Sequence, residues 1–126
     1  MYDYGDLTLI SLVPTATNTT VGAVNGTGVN LAQYIGRGRC VLDSAAGTGT
    51  SPTLSVKLQD SPDNSTWTDV PNAVFTTVTN AGASQQALRV DMDALNTFVR
   101  AVSTEGGTTP SFTYSVNLLG RKQVLP

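Results

Sequence analysis

Residues 53–60 alternate without a break: Leu54, Val56 and Leu58 are apolar, and Ser55, Lys57 and Gln59 between them are polar. Successive side chains of a β-strand point to opposite faces, so this pattern gives one dry face and one wet face. A helix would scatter the same apolar side chains around its axis. Residues 111–119 repeat the pattern, with Phe112, Tyr114, Val116 and Leu118 on one side. Strands that are dry on one face need a second layer to cover them. The chain is therefore constrained to a layered β-fold before anything else about it is read.

Weaker signals of the same kind fill the rest of the sequence. Residues 7–13 form a first strand, with Leu7 and Leu9 facing one way and Pro14 ending it, because proline cannot donate to a ladder. Residues 21–24 give a short extended piece, and Val29, Leu31 and Tyr34 give another short strand or a turn packing on the core. Gly36-Arg37-Gly38 reads as a turn into a strand at 39–43. Residues 67–70, 74–78, 85–92 and 98–103 are further extended runs, and Pro71-Asn72 is a break. Residues 44–52 hold only small residues and Pro52, with no apolar anchor, so a mobile surface loop is expected there. Residues 80–84 and 105–109 are also expected as loops, and 93–96 fits a single helical turn. The cluster Ser61-Pro62-Asp63-Asn64-Ser65-Thr66 folds 53–70 into a hairpin. There Pro62 presets φ, and Asp63 and Asn64 are types that tolerate a left-handed position. The expectation is all-β: one antiparallel, jelly-roll-like β-sandwich domain over residues 1–126 with about seven to nine short strands. Residues 1–6 would be an N-terminal arm and 121–126 a C-terminal tail.

Composition agrees and excludes several functions. A chain of 126 residues suits one domain. Glu105 is the sole glutamate against 19 threonines, which disfavours an all-helical fold. Histidine is absent, and with it the commonest general base and metal ligand. Ser-His-Asp and Cys-His catalysis cannot be assembled from this chain alone. Cys40 is the single cysteine, so neither a disulfide framework nor a cysteine zinc site is available. The expectation is a binding or structural domain, not an enzyme, with no cofactor and no metal. The pI near 4.7 disfavours nucleic acid as a partner. No stretch approaches the roughly 20 apolar residues of a spanning helix, and Met1 is followed by no basic and apolar run, so neither a membrane partner nor secretion is expected. A product of the cytoplasm, or a particle assembled there, is expected instead. The sequons at Asn18, Asn25 and Asn64 then read as coincidence.

Few constellations carry chemistry. Asp60, Asp63 and Asp69 flank the hairpin turn but match no calcium loop, so a solvated turn is the plainer reading. Asp91 and Asp93 share a strand face without a visible cleft. The glycines at 22–28 and 36–38 lack the helix and lysine of a phosphate loop. Arg37, Arg39, Arg121 and Lys122 form basic spots too few for a nucleic-acid track. Trp67 reads as a core anchor and Cys40 as a small buried hydrophobe. The candidate interaction residues are terminal: Tyr2, Tyr4 and Leu7 at one end, Arg121, Lys122, Val124 and Leu125 at the other. Free tails often fray, but apolar anchors on an extended arm are also what a chain adds to a neighbour's sheet or groove.

The hairpin from Ser55 through Ser61-Pro62-Asp63-Asn64-Ser65-Thr66-Trp67 to Val70 resembles a strand, S-x-D-G-S-T-W, strand unit of small tailed-bacteriophage virion proteins. Gln86-Ala87-Leu88-Arg89-Val90-Asp91 and Phe98-Val99-Arg100-Ala101-Val102 are similar to two later strands of those proteins, and residues 112–120 to their final strand. The likeness spans about residues 25–120. Asn64 stands where the family turn usually has glycine, and Pro62 where a second aspartate is common; both still suit a tight turn. The resemblance implies a β-sandwich head decoration (cement) protein or minor capsid component. Its partners would be the major capsid protein and further copies of itself, with a trimer favoured. It would be made in the host bacterial cytoplasm and reside on the capsid surface. The alternatives are a phage tail, neck or spike component, and a carbohydrate-binding sandwich, since discoidin-like modules carry a similar S-x-D-x-x-x-W pattern.

Overall fold

One long strand organises the molecule. In the computed structural model, which describes residues 7–122, the strand at Phe98–Lys122 runs for 25 residues through the centre of two sheets. The chain order is β1 (Leu7–Asn18), β2 (Gly22–Asn25), β3 (Val29–Asn30), β4 (Tyr34–Ser44), β5 (Thr48–Ser61), β6 (Thr68–Val74), β7 (Ser84–Asp91) and β8 (Phe98–Lys122). All eight are linked by antiparallel pairing. The first half of β8 lies between β5 and the short β2 and β3, with β6 beyond β5. Its second half lies between β4 and β1, with β7 beyond β4. Sheet I is thus β7-β4-β8-β1, and sheet II is β6-β5-β8-β2/β3.

The bend that turns one sheet into the other has a visible backbone cause. Gly107 (φ 103°) and Thr109 (φ 48°) on β8 face Gly49 (φ 114°) and Ser51 (φ 49°) on β5. The β5–β8 register shifts twice there, between Thr48 and Thr50 and between Thr50 and Thr53. Bulges of this kind let a strand change sheets. Gly107 has no substitute, because a Cβ on it would stand 2.6 Å from the Ser51 carbonyl oxygen. Pro52 and Pro110 are fully buried at the same bend.

The two alternating segments behave as their pattern requires. Leu54, Val56 and Leu58 of sheet II and Phe112, Val116 and Leu118 of sheet I are all at most 1% exposed and belong to one core. The architecture is the expected all-β antiparallel one, with eight strands.

Several local expectations are corrected. Residues 105–109 are not a loop but the bend inside β8. Residues 44–52 are not a mobile loop: only 45–47 lie outside strands, and Gly47 packs against the Phe112 ring. Pro14 does not end β1, because it falls where the ladder is already interrupted, between the pairs Val13↔Val116 and Ala16↔Tyr114. A missing N–H breaks nothing at a bulge on an edge strand. Pro71-Asn72 is likewise absorbed inside β6, with Asn72 at φ 59°. Residues 93–96 form a turn without a helix. The final strand does not stop at Gly120; Arg121 and Lys122 are still paired within it.

Candidate interaction surface

The hairpin turn is built by side chains capping backbone. Asp63 Oδ1 accepts from the Ser65 and Thr66 amides at 3.0 and 2.8 Å and from Ser61 Oγ at 2.9 Å. These bonds favour the charged form and hold the Asp63 carboxyl below its usual value, the Thr66 amide most of all. Asn64 takes the left-handed position, φ 60°, that the residue type tolerates. Pro62, Asp63 and Asn64 therefore shape the turn, and all three are exposed.

A polar chain crosses the outer face of sheet II beside it. Lys57 pairs with Asp69 at 3.1 Å, Gln59 donates to Asp69 at 2.8 Å, and Arg100 donates twice to Gln59 at 3.0 and 2.8 Å. The Gln59 and Lys57 contacts hold the Asp69 carboxyl low. The Arg100 guanidinium also sits 4.4 Å from the centre of the Trp67 ring, a cation–π contact. Trp67 is thus not a core anchor. It is half-buried outside sheet II, with one ring face taken by Arg100 and its edge against Gly28.

The outer face of sheet I is different. Its strands alternate, so Cys40 and Val90 point inward while Arg37, Arg39 and Arg89 point out. Arg121 joins them from β8, across from Ile35. Arg37, Arg39, Arg89 and Arg121 line one shallow cavity of about 280 Å³ floored by Leu119. Arg39 lies directly opposite Arg89 in the ladder, and Asp91 lies opposite Arg37. Leu9 is 63% exposed and Ile35 39% on the same sheet. Sequence reasoning grouped Arg37, Arg39, Arg121 and Lys122 but missed Arg89, and Lys122 does not line this cavity. The inward pair Leu88 and Val90 was the available signal, since the residue between them had to face out.

Of the residues expected at an interaction site, Leu7 and Arg121 are backbone partners at one end of sheet I. Lys122 pairs with Tyr34 and lines a separate cavity with it. Tyr2, Tyr4, Val124 and Leu125 lie outside the described residues.

Two buried titratable groups are shifted by their surroundings, and sequence reasoning foresees the burial of Cys40 but not that of Glu105. Glu105, 1% exposed, points into the sandwich at the last inward position before the β8 bend, and neither carboxyl oxygen finds a hydrogen bond among the described residues. Burial pushes its pKa up to about 7, with nearby Asn18 opposing the shift. Cys40 is fully buried, and burial pushes its thiol up to about 12.

No protein-family profile matches the chain, and no curated protein matches its sequence. Solved structures do match over nearly its whole length. The SPBc2 prophage-derived protein YomS aligns over 97% of this chain and 98% of its own, with a TM-score of 0.55 and 13% identity. A chain of the Bacillus endospore appendages, disulfide-linked pili, aligns over 98% and 96%, with a TM-score of 0.54 and 13% identity. A chain of infectious bursal disease virus, Gx strain, aligns over 94% of this chain and 32% of its own, with a TM-score of 0.54 and 10% identity. The likeness is one of fold. The disulfide linkage of the pili has no counterpart here, because the one cysteine is enclosed in the core.

Proposed function

We propose that the chain is a non-enzymatic structural component of a bacteriophage virion, a decoration protein bound across junctions between major capsid protein subunits. The observation that carries this reading is the end-to-end match of fold and length with the prophage-derived protein. The hairpin at 55–70 and the strands around Arg89 and Arg100, which resemble those of phage virion proteins, add to it. The protein would be made in the host bacterial cytoplasm and act as a symmetric oligomer, a trimer seated at threefold junctions. A lattice multiplies weak contacts by raising effective concentration, so no single contact need be strong. Scarce charge suits close packing of identical copies. Quantitative mass spectrometry of purified heads is the test. The chain is expected in near-stoichiometric amount with the major capsid protein, and its absence from intact heads overturns the reading. Recovery from tails or necks alone replaces the capsid position with a tail, neck or spike role.

A further inference from the structure

Four of the five arginines meet on one face, and among the described residues no acid lies within ion-pair distance of them. Among the described residues the one ion pair is Lys57–Asp69, on the other sheet. Arg100, the fifth arginine, is occupied by Gln59 and Trp67. Arg39 and Arg89 are held directly opposite each other, an arrangement that like charges disfavour. Asp91 and Asp43 lie on the same face, but neither comes within ion-pair distance of an arginine. Guanidinium forks match carboxylates and phosphates, so the face is built for an anion.

The neighbours of the arginines favour a protein over a nucleic acid. Leu119, Ile35 and Leu9 place apolar surface among them, and arginine with apolar side chains is the make-up of an interface core. The chain as a whole is negative, which repels a polyphosphate. This chain also supplies the complement. Apart from the four arginines it holds three basic residues against nine acidic ones. Asp60 at the end of β5 bonds to Asn96 in the turn after β7, which also carries Asp93, and Asp63 follows in the hairpin turn. Each uses one carboxyl oxygen within its own chain, Asp60 Oδ2 to Asn96, Asp63 Oδ1 within its turn and Asp93 Oδ1 to the Gly36 amide. Those bonds fix the orientation of the carboxylates and leave the second oxygen of each without a bond among the described residues. Asp60 and Asp91 border a mostly apolar cleft of about 380 Å³ with Val70, Pro71, Ala73 and Leu95, which offers a seat for an aliphatic side chain such as Ile35 or Leu9.

We propose that the arginine face of sheet I docks onto the acidic end, with its apolar cleft, of a second copy of the chain. The contact is head-to-tail. Arg89 lines both cavities, so the two surfaces share an edge instead of lying on opposite sides. A head-to-tail contact forms a ring when its rotation closes and a filament when it does not, and adjoining surfaces supply the turn between copies that a ring requires.

This contact deepens the assembly reading and rests on it only in requiring a multimer. Sedimentation velocity of the full chain at about 50 mM and about 500 mM salt tests it, because contacts between surface charges weaken as the Debye length shrinks. A closed oligomer that loosens in high salt is expected. Arg39→Glu with Arg89→Glu should give a monomer, as should Asp60→Lys with Asp93→Lys. Mixing the two variants should restore association as a mixed complex. Circular dichroism reports whether each variant is folded. Asp60→Asn with Asp93→Asn, which keeps an oxygen acceptor for each turn, serves if the lysine variant is not, and should weaken association at least about tenfold. A monomeric wild-type protein overturns the proposal. So does an oligomer indifferent to the arginine reversal, or a mixture that stays unassociated. If the chain is present in virions yet monomeric in solution, this docking face fails while the virion role stands. If a salt-sensitive ring forms in solution but the chain is absent from virions, the docking face stands and the virion role fails.

Discussion

Glu105 occupies the inner face of β8 with no hydrogen-bond partner for either oxygen among the described residues, where Asn18 and Ser103 also leave buried polar atoms unbonded. A carboxyl so placed is tolerated when neutral and disfavoured when charged. Its pKa is raised from 4.5 to about 7, so the folded state holds the proton more tightly than the unfolded chain. The associated stability is fully present below about pH 4.5, declines as pH rises through 7 and is lost above it. At about 1.4 kcal/mol per pH unit between 4.5 and 7, the loss is on the order of 3 kcal/mol. Glu105→Gln removes that slope, so urea unfolding should find the variant more stable than wild type at pH 8 and nearly equal to it at pH 4. Asp63 and Asp69 act in the opposite sense and at lower pH. Their carboxyls are held below 3.8, so their contribution is present above that value and lost as pH falls beneath it. At this scale the sequence was partly legible. Cys40 is the buried hydrophobe its strand setting predicts, and Asp63 and Asn64 do the work their chemistry allows. Glu105 was not legible, because its position next to Gly106-Gly107 looks like a solvated loop until the bend of β8 encloses it.

Among the elements, Arg100 on β8 reinforces the outer face of sheet II beside the β5–β6 hairpin. Its guanidinium covers Trp67 and its two bonds to Gln59 tie β8 to β5, which in turn contacts Asp69 of β6. Arg100→Ala removes the ring contact and both bonds to Gln59 and should destabilise the fold by about 1–2 kcal/mol. Trp67 is the single tryptophan, so its fluorescence reports this site directly. Emission should move to longer wavelength in the folded variant as the ring is uncovered. The strands that were legible, in residues 53–60 and 111–119, are those with one dry and one wet face. Those misread, such as 105–109 and 44–52, lie at the bend, where small residues and prolines look like a loop by composition. They are ordered because the bulged backbones of β5 and β8 pair with each other there, and a bulge depends on the opposing strand and not on the segment's own residues.

For the whole molecule, the pairing of β8 with β1, from the far end of the chain, sets the folding problem. Leu7 meets Arg121 and Asn18 meets Phe112, so a large loop must close before sheet I is complete. Such topology folds slowly, and stopped-flow refolding should show a main phase in the range of milliseconds to seconds. A main phase faster than about a millisecond would contradict the role given to these pairings. Sequence alone establishes that the chain is all-β, which residues of its clear strands face the core, and that histidine-dependent catalysis has no residue to work with. Each of these follows from local alternation or from which side chains exist at all. Tertiary structure alone decided that β8 serves both sheets, that Glu105 is enclosed, and that Arg89 joins Arg37, Arg39 and Arg121 on one face. Those facts depend on strand order and register, which are fixed by contacts between segments far apart in the chain, so no local window of sequence contains them.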